Sequence, residues 1–398
     1  MNRTPGSGPS SGRIARAREI MESFARSSGI VGDLRPRRYL WTDAFAVCNC
    51  LGLADATGED RYRALALRLV DQVHRVLGRH RRDDPRNGWI SGLSAEEGAR
   101  HPTAGGLRIG KPMPERPRGE RPDPREEWER DGQYYHYLTR WMHALNRTWV
   151  ATGDRDHHRW AVELAEAAHR GFVRRDGDER YMAWKMSIDL SRPLVPSTGA
   201  HDPLDGLLTL SDLWATAPDG AGSPRVEIVE LAGMCRGRRW ATDDPLGAGG
   251  LLIDLHRAIR LAGHWPFAAS AGAGEGRRGD ELVTALLADA LSSLDAIAAI
   301  RALEGPAEGR LAFRELGLAI GLAALERLEP RDVAELPPSG TADPSELLER
   351  LRARLPMREK VLGFWLDPSH RRAGTWTDHE DINRVMLATA LAPDGYLG

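Results

Sequence analysis

The sequence predicts an all-α protein made of helical hairpins, closed as an inner ring of helices inside an outer ring. Three observations carry this prediction. Nearly apolar helical segments alternate with amphipathic ones. Two hairpin turns are almost the same, Ala56-Thr57-Gly58-Glu59 and Ala151-Thr152-Gly153-Asp154. Strand-period alternation is nowhere convincing. Inner helices of such a fold are buried on all sides and outer helices on one. A curved open helical repeat is the competing arrangement. Aromatic residues at the starts of the inner helices favour the closed form, because they suit a cavity at one end.

The helices follow in order. Positions 1–12 are polar, rich in Ser, Gly and Pro, and expected to be a disordered tail. A helical pattern runs over 13–28 and is followed by Pro36. Positions 44–56 read as a nearly apolar helix. Gly58 takes the turn, and 61–79 is amphipathic, with Leu65, Leu69, Val73 and Leu77 on one face. The second hairpin repeats the design. Its inner helix, 133–150, carries aromatic and polar residues around its whole circumference, and its partner, 156–172, is amphipathic. Further helices are expected over 204–216, 226–236, 248–263, 280–303, 311–325, 345–354 and 379–392. The prediction is one domain over 13–398, with an insertion at 83–131.

Composition sets limits. The 398 residues carry 55 basic and 57 acidic side chains, a formal net charge of -2. Such a balance gives no broad nucleic-acid footprint. The 3 cysteines, Cys48, Cys50 and Cys235, are too few for a disulfide scaffold and lack metal-ligand spacing. The N-terminus shows no apolar signal core, and no uninterrupted apolar run suits a membrane span. A cytoplasmic protein without nucleic-acid or membrane partners is the expectation.

The insertion at 83–131 has the length of a lid or binding loop. It holds Trp89 and the run Gly105-Gly106-Leu107-Arg108-Ile109-Gly110-Lys111. That run lacks the Gly-Lys-Ser/Thr ending of a phosphate loop, and neither a strand before it nor a helix after it is evident. Positions 269–278 read as a simple loop.

The hairpin repeat, the aromatic inner helices and the polar residues at their starts resemble the six-hairpin, or (α/α)6, toroid proteins. That superfamily includes glycoside hydrolases, unsaturated-uronyl hydrolases, polysaccharide lyases and N-acylglucosamine epimerase-type enzymes. The resemblance covers roughly 39–395 and is architectural, since no motif selects one family. It implies a carbohydrate-sized funnel at one end of the barrel, lined by inner-helix termini and long loops, with a carbohydrate or glycoconjugate as partner.

Four groups are candidates for that site. The first is Tyr39, Trp41 and Asp43, a sugar platform beside a carboxylate; helix capping accounts for Asp43 as well. The second is Gln133, Tyr134 and His136 near the start of their helix. Arg140 and His143 lie deeper, and a buried arginine requires a carboxylate. The third is Trp184 and Lys185 followed by His201, Asp202 and Asp205. Asp202-Pro203 also reads as a helix cap, and Asp243-Asp244-Pro245 after Trp240 repeats the pattern. The fourth is Trp376, Asp378, His379, Glu380 and Asp381, which echoes Trp41-Thr42-Asp43. In a closed ring, Asp43 and Asp378 would face one cavity.

Hydrolysis of a glycosidic bond in a barrel-end funnel is the leading expectation, and it needs an acid and a second carboxylate. Asp43, Asp202, Asp205, Asp378, Glu380 and Asp381 can supply that pair, and spacing does not choose between them. An epimerase would instead use His136, His201 or His379 as proton carriers. A lyase would use Tyr134 with Arg140 or Arg314. A helical scaffold binding a glycan or a protein without catalysis is the remaining reading. No cofactor and no metal ligand motif are expected.

Overall fold

The computed structural model describes residues 11–177, 179–261, 276–336 and 343–398. The expected loop at 269–278 therefore lies largely outside the described residues, as does most of the expected tail. The first helix, α1, is Ser11–Ser27.

Helices dominate. They are α2 (Leu40–Thr57), α3 (Asp60–Leu77), the short α4 (Ala95–Arg100) and α5 (Pro124–Glu129), then α6 (Tyr135–Thr152), α7 (Arg155–Phe172), α8 (Asp202–Ala215) and α9 (Arg225–Cys235). The second half continues with α10 (Pro245–Leu261), α11 (Gly276–Ala299), α12 (Ala312–Glu326), α13 (Pro344–Arg352), α14 (Pro356–Leu366), α15 (Gly374–Thr377), α16 (Glu380–Leu391) and α17 (Asp394–Leu397). Both repeated turns work as their glycines require: Gly58 and Gly153 sit at φ 71° and 72°, the left-handed region that a Cβ disfavours. Four short strands also occur among the described residues: β1 (Gln133–Tyr134), β2 (Val173–Asp176), β3 (Glu179–Met182) and β4 (Lys185–Met186). Strands this short have no room for an alternating pattern, so the sequence does not announce them. The start of the expected 133–150 helix is thus extended: Gln133 pairs with Met186 and Tyr134 with Lys185.

The chain forms two compact units. One comprises 1–34, 48–64 and 239–398, and the other 35–47 and 65–238. In the second unit, α6 packs on α7 and α8, and α8 on α9. Helix α6 is enclosed as its sequence predicts: Thr139, Arg140, His143, Asn146 and Thr148 are buried together with Leu138, Trp141 and Leu145. Helix α7 is buried on one side only, through residues such as Ala161, Leu164, Ala168 and Phe172.

In the first unit, α10 and α12 lie in close contact, and α12 also meets α14 and α16. Glycine permits this approach. A Cβ on Gly321 would stand 2.4 Å from the Gly249 carbonyl oxygen, and one on Gly249 would stand 2.2 Å from that of Gly317. The backbones therefore pack directly on each other. Helix α11 contains one stretch, Gly279–Ala299, that is long and apolar enough to cross a membrane by length and composition. Here it packs on α10 and α13, burying Val283, Leu286, Leu287, Leu294 and Ile297. Cys48, Cys50 and Cys235 are all buried and none is in a disulfide, and burial pushes Cys50 up to about 12.

Candidate active site

The second unit gathers an aromatic group around one histidine. His136 lies in the first turn of α6, and its side chain is 26% exposed. Four aromatic rings surround it. Tyr134 stacks at 5.4 Å between centroids, Tyr137 meets it edge-on at 5.0 Å, Trp41 lies at 6.1 Å, and Trp184 is nearly parallel at 6.5 Å. The hydroxyls of Tyr39 and Tyr137 share a 2.6 Å hydrogen bond. The β1–β4 pairing sets this arrangement, because it fixes Tyr134 beside the segment that carries Trp184. Tyr135 points elsewhere, toward Phe172 and Gly206. Two of the three tyrosines of this stretch therefore reach one place.

Behind His136 stands Asp202, the first residue of α8. Its Oδ1 is 3.5 Å from His136 Nδ1, an ion pair when the imidazole is protonated. Asp202 is 5% exposed, and its Oδ2 has no hydrogen-bond partner among the described residues. Gly199 gives that oxygen room, since a Cβ there would come within 1.9 Å of it. The capping expectation for Asp202 is corrected: α8 has no side-chain cap. The cap exists only in the similar sequence at α10, where Asp244 accepts from the Gly247 amide at 2.9 Å and pairs with Arg314 at 2.6 Å. Trp41 adds a second buried polar atom without a partner among the described residues, its indole Nε1.

Two other candidate carboxylates of this unit are engaged. Asp205 accepts from Arg140 at 2.6 Å and from Thr139 at 2.5 Å, which supplies the carboxylate that a buried Arg140 requires. The Arg140 guanidinium also lies 5.6 Å over the Trp41 ring. Asp43, 1% exposed, reaches back to accept from the Tyr39 amide at 2.9 Å and lies 3.5 Å from Arg38. His201 is half-buried at the N-cap of α8.

Several candidates are structural clamps. Gln133 is fully buried: its amide donates to Ile188 and Gly105 carbonyls at 2.7 and 3.1 Å and accepts from the Leu107 amide at 2.9 Å. This explains the glycine run, because a Cβ on Gly106, at φ 78°, would overlap the Gln133 amide oxygen at 2.1 Å. Lys185 is also fully buried. Its ammonium donates to the Glu127 and Arg130 carbonyls and faces the Glu127 carboxylate at 3.4 Å. Burial pulls it down to about 8, against the opposing pull of Glu127. Glu127 in turn accepts from Arg116 at 2.6 Å. Trp89, 4% exposed, is packed under Arg79 and against Gly98.

Trp240, Trp376 and the acidic group after it belong to the other unit. Trp240 is 1% exposed, and its backbone amide donates to Asp289 at 2.7 Å. Trp376 stacks on Trp365, whose indole donates to Glu315 at 2.8 Å, and Arg310 closes that buried group with two bonds to Glu315 at 2.8 and 2.6 Å. Asp378, His379 and Glu380 are exposed, Asp381 is half-buried, and His379 meets Phe313 edge-on at 5.6 Å. Among the described residues, no three His, Cys, Asp or Glu side chains gather as metal ligands.

Comparison with solved structures defines the architecture. An α-1,6-mannanase of glycoside hydrolase family 76 from Salegentibacter sp. is 12% identical and superposes with a TM-score of 0.52, covering 96% of this chain and 99% of its own. A family 76 α-mannanase from Bacteroides thetaiotaomicron is 8% identical, with a TM-score of 0.53 and 96% of each chain covered. A D-mannose isomerase is 10% identical, with a TM-score of 0.50, covering 96% of this chain and 97% of its own. The fold is the (α/α)6 barrel. The all-α architecture that the hairpin repeat predicts is therefore the observed one. No protein-family model and no curated protein sequence matches the chain.

Proposed function

We propose that the protein is a carbohydrate-active enzyme in which His136, backed by Asp202, moves a proton on a sugar. One observation carries the reading: a partly exposed imidazole sits among four aromatic rings with a buried carboxylate 3.5 Å from its Nδ1. Aromatic faces suit the apolar faces of sugar rings. A carboxylate at Nδ1 favours the tautomer with its proton there and leaves Nε2 to accept one. Trp41 Nε1 and Asp202 Oδ2 are buried polar atoms without a hydrogen-bond partner among the described residues, a state that polar groups beside a ligand site can hold.

The reaction class that this arrangement suits is aldose–ketose isomerisation. His136 Nε2 takes the proton from the carbon beside the carbonyl of the open-chain sugar. The electron pair of that C–H bond forms the carbon–carbon double bond of an enediol, and the carbonyl oxygen takes a proton. Delivery of a proton from the His136 imidazolium, by then exchanged with solvent, to the former carbonyl carbon, with loss of the other hydroxyl proton, gives the ketose. Atoms balance and no oxidant is needed. An epimerase would need a second proton carrier on the opposite face. The fold is shared with a D-mannose isomerase and with mannanases, which supports a sugar as the substrate class.

Hydrolysis is the second reading. It gains support from the mannanase fold and from the position of Asp202. Against it, Asp43 and Asp205, the other two aspartates proposed for hydrolysis in this unit, are each held beside an arginine. The test is a panel of aldoses, ketoses and mannooligosaccharides with wild type, H136Q and D202N. The isomerase reading expects interconversion without new reducing ends, and losses of at least about a hundredfold in kcat for H136Q. Release of reducing ends that survives H136Q would reverse the order of the two readings.

A further inference from the structure

We infer that the aromatic surface at His136 continues outward as a second sugar-binding position made by Trp184 and Trp128, and that the ligand is a reducing disaccharide or longer oligosaccharide. This rests on the reading of His136 as the reacting end. Trp128 is 52% exposed, an unusual state for the side chain with the largest apolar area. It meets Trp184 edge-on at 5.2 Å. Trp184 in turn lies 5.0 Å from Tyr134 and 6.5 Å from His136. An unbroken series of rings therefore runs from the buried Tyr134 to solvent.

The exposed ring is not on loose chain. It sits in α5, and the buried Lys185 bonds both the Glu127 carbonyl of that helix and the carbonyl of Arg130 just after it. The carbonyl of Trp128 itself accepts from Lys111, and the Lys111 ammonium lies 5.8 Å over the indole. The fold thus holds an apolar face rigidly at the surface, which limits the ordering entropy that a ligand must overcome. Polar partners for hydroxyls are near. Glu129 is exposed beside it, and its charge acts on Tyr39, Tyr134 and Lys111. Alternating aromatic faces and charged hydrogen-bonding groups suit a glycosyl unit better than an apolar partner. The direction is fixed by the chemistry: the carbonyl end lies at His136 and the glycosyl substituent at Trp128.

The test compares α-1,6-mannobiose, cellobiose, mannose and glucose as ligands of the full chain by saturation-transfer NMR titration, with turnover measured alongside. Wild type is expected to bind at least one disaccharide about tenfold more tightly than its parent monosaccharide. Trp128→Ala is expected to lose at least about tenfold more affinity for that disaccharide than for the monosaccharide, while Trp128→Phe keeps most of the preference. A preference that survives Trp128→Ala, or a wild type without one, overturns the inference even if sugars are isomerised. A Trp128-dependent preference in a protein that isomerises no sugar upholds the binding position and refutes the reaction assigned to His136. Because Trp128 is exposed, circular dichroism of Trp128→Ala separates misfolding from a binding defect.

Discussion

Asp205→Asn tests the internal bonding on which the site stands. Arg140 and Asp205 are 10% and 4% exposed and meet at 2.6 Å, so both ions have left water to pair. Removing one partner of such a pair costs about 3–5 kcal/mol, because the other charge stays buried. The Thr139 hydroxyl loses its ionised acceptor as well. The exposed pair Arg16–Glu19, at 2.7 Å but 43% and 62% exposed, is the internal reference. Glu19→Gln should cost no more than about 1 kcal/mol. The double variant Arg140→Leu/Asp205→Leu removes both charges and should cost less than the sum of the two single changes, with a coupling of at least about 2 kcal/mol. Urea unfolding followed by circular dichroism reads all of these. If Asp205→Asn costs no more than Glu19→Gln, or the double variant is additive, the buried pair does not tie α6 to α8.

Three further outcomes follow from the packing. Gly321→Ala should destabilise by about 1–3 kcal/mol, because its Cβ would lie 2.4 Å from a backbone oxygen. Gly363→Ala in α14, where a Cβ meets nothing within 4 Å, should instead stabilise by about 0.5–1 kcal/mol, and thermal melts compare the two. Gln133→Leu leaves the Leu107 amide and the Gly105 and Ile188 carbonyls without their partner, at about 1–3 kcal/mol per buried group; limited proteolysis should then cut within 83–131 faster than in wild type. The fourth is a pH effect. Burial lowers His74 and His256 from 6.5 to about 3, so below pH 6.5 the unfolded chain binds protons that the native chain does not. Stability should therefore fall on acidification from pH 6.5 toward 3, by about 1.4 kcal/mol per unit for each histidine. His74→Gln should flatten that slope in pH-dependent urea unfolding, and an unchanged slope would remove His74 as a cause.

Much of the fold was legible because its signals are local. Gly58 and Gly153 mark turns through their own backbone angles, and the apolar and amphipathic helices differ in composition within one or two turns. Helix α14 was missed: Pro-Met-Arg-Glu-Lys follows too closely on α13, and its aromatic Phe364 and Trp365 do not make a clean stripe. The site was legible in its residues more than in their roles. Tyr39, Trp41, Tyr134, His136 and Trp184 do assemble, yet Gln133 and Lys185 from the same stretches are clamps. Nothing in a helical reading shows that Gln133 is extended and paired with Met186. Asp202 and Asp244 precede or begin helices in similar sequences, and only the structure shows that one caps and the other faces an imidazole. Trp128 belongs to the approach Glu127-Trp128-Glu129-Arg130-Asp131-Gly132 of the second candidate group, and nothing in that run singles it out, because exposure is a property of the folded surface.

The most direct test of the central claim is proton exchange in D2O, followed by proton NMR on mannose and on a reducing disaccharide. Wild type should wash deuterium into the carbon beside the carbonyl as aldose and ketose interconvert, and His136→Gln should abolish the exchange. Turnover without any deuterium at that carbon, or exchange undiminished in His136→Gln, would contradict the proton-transfer role assigned to His136.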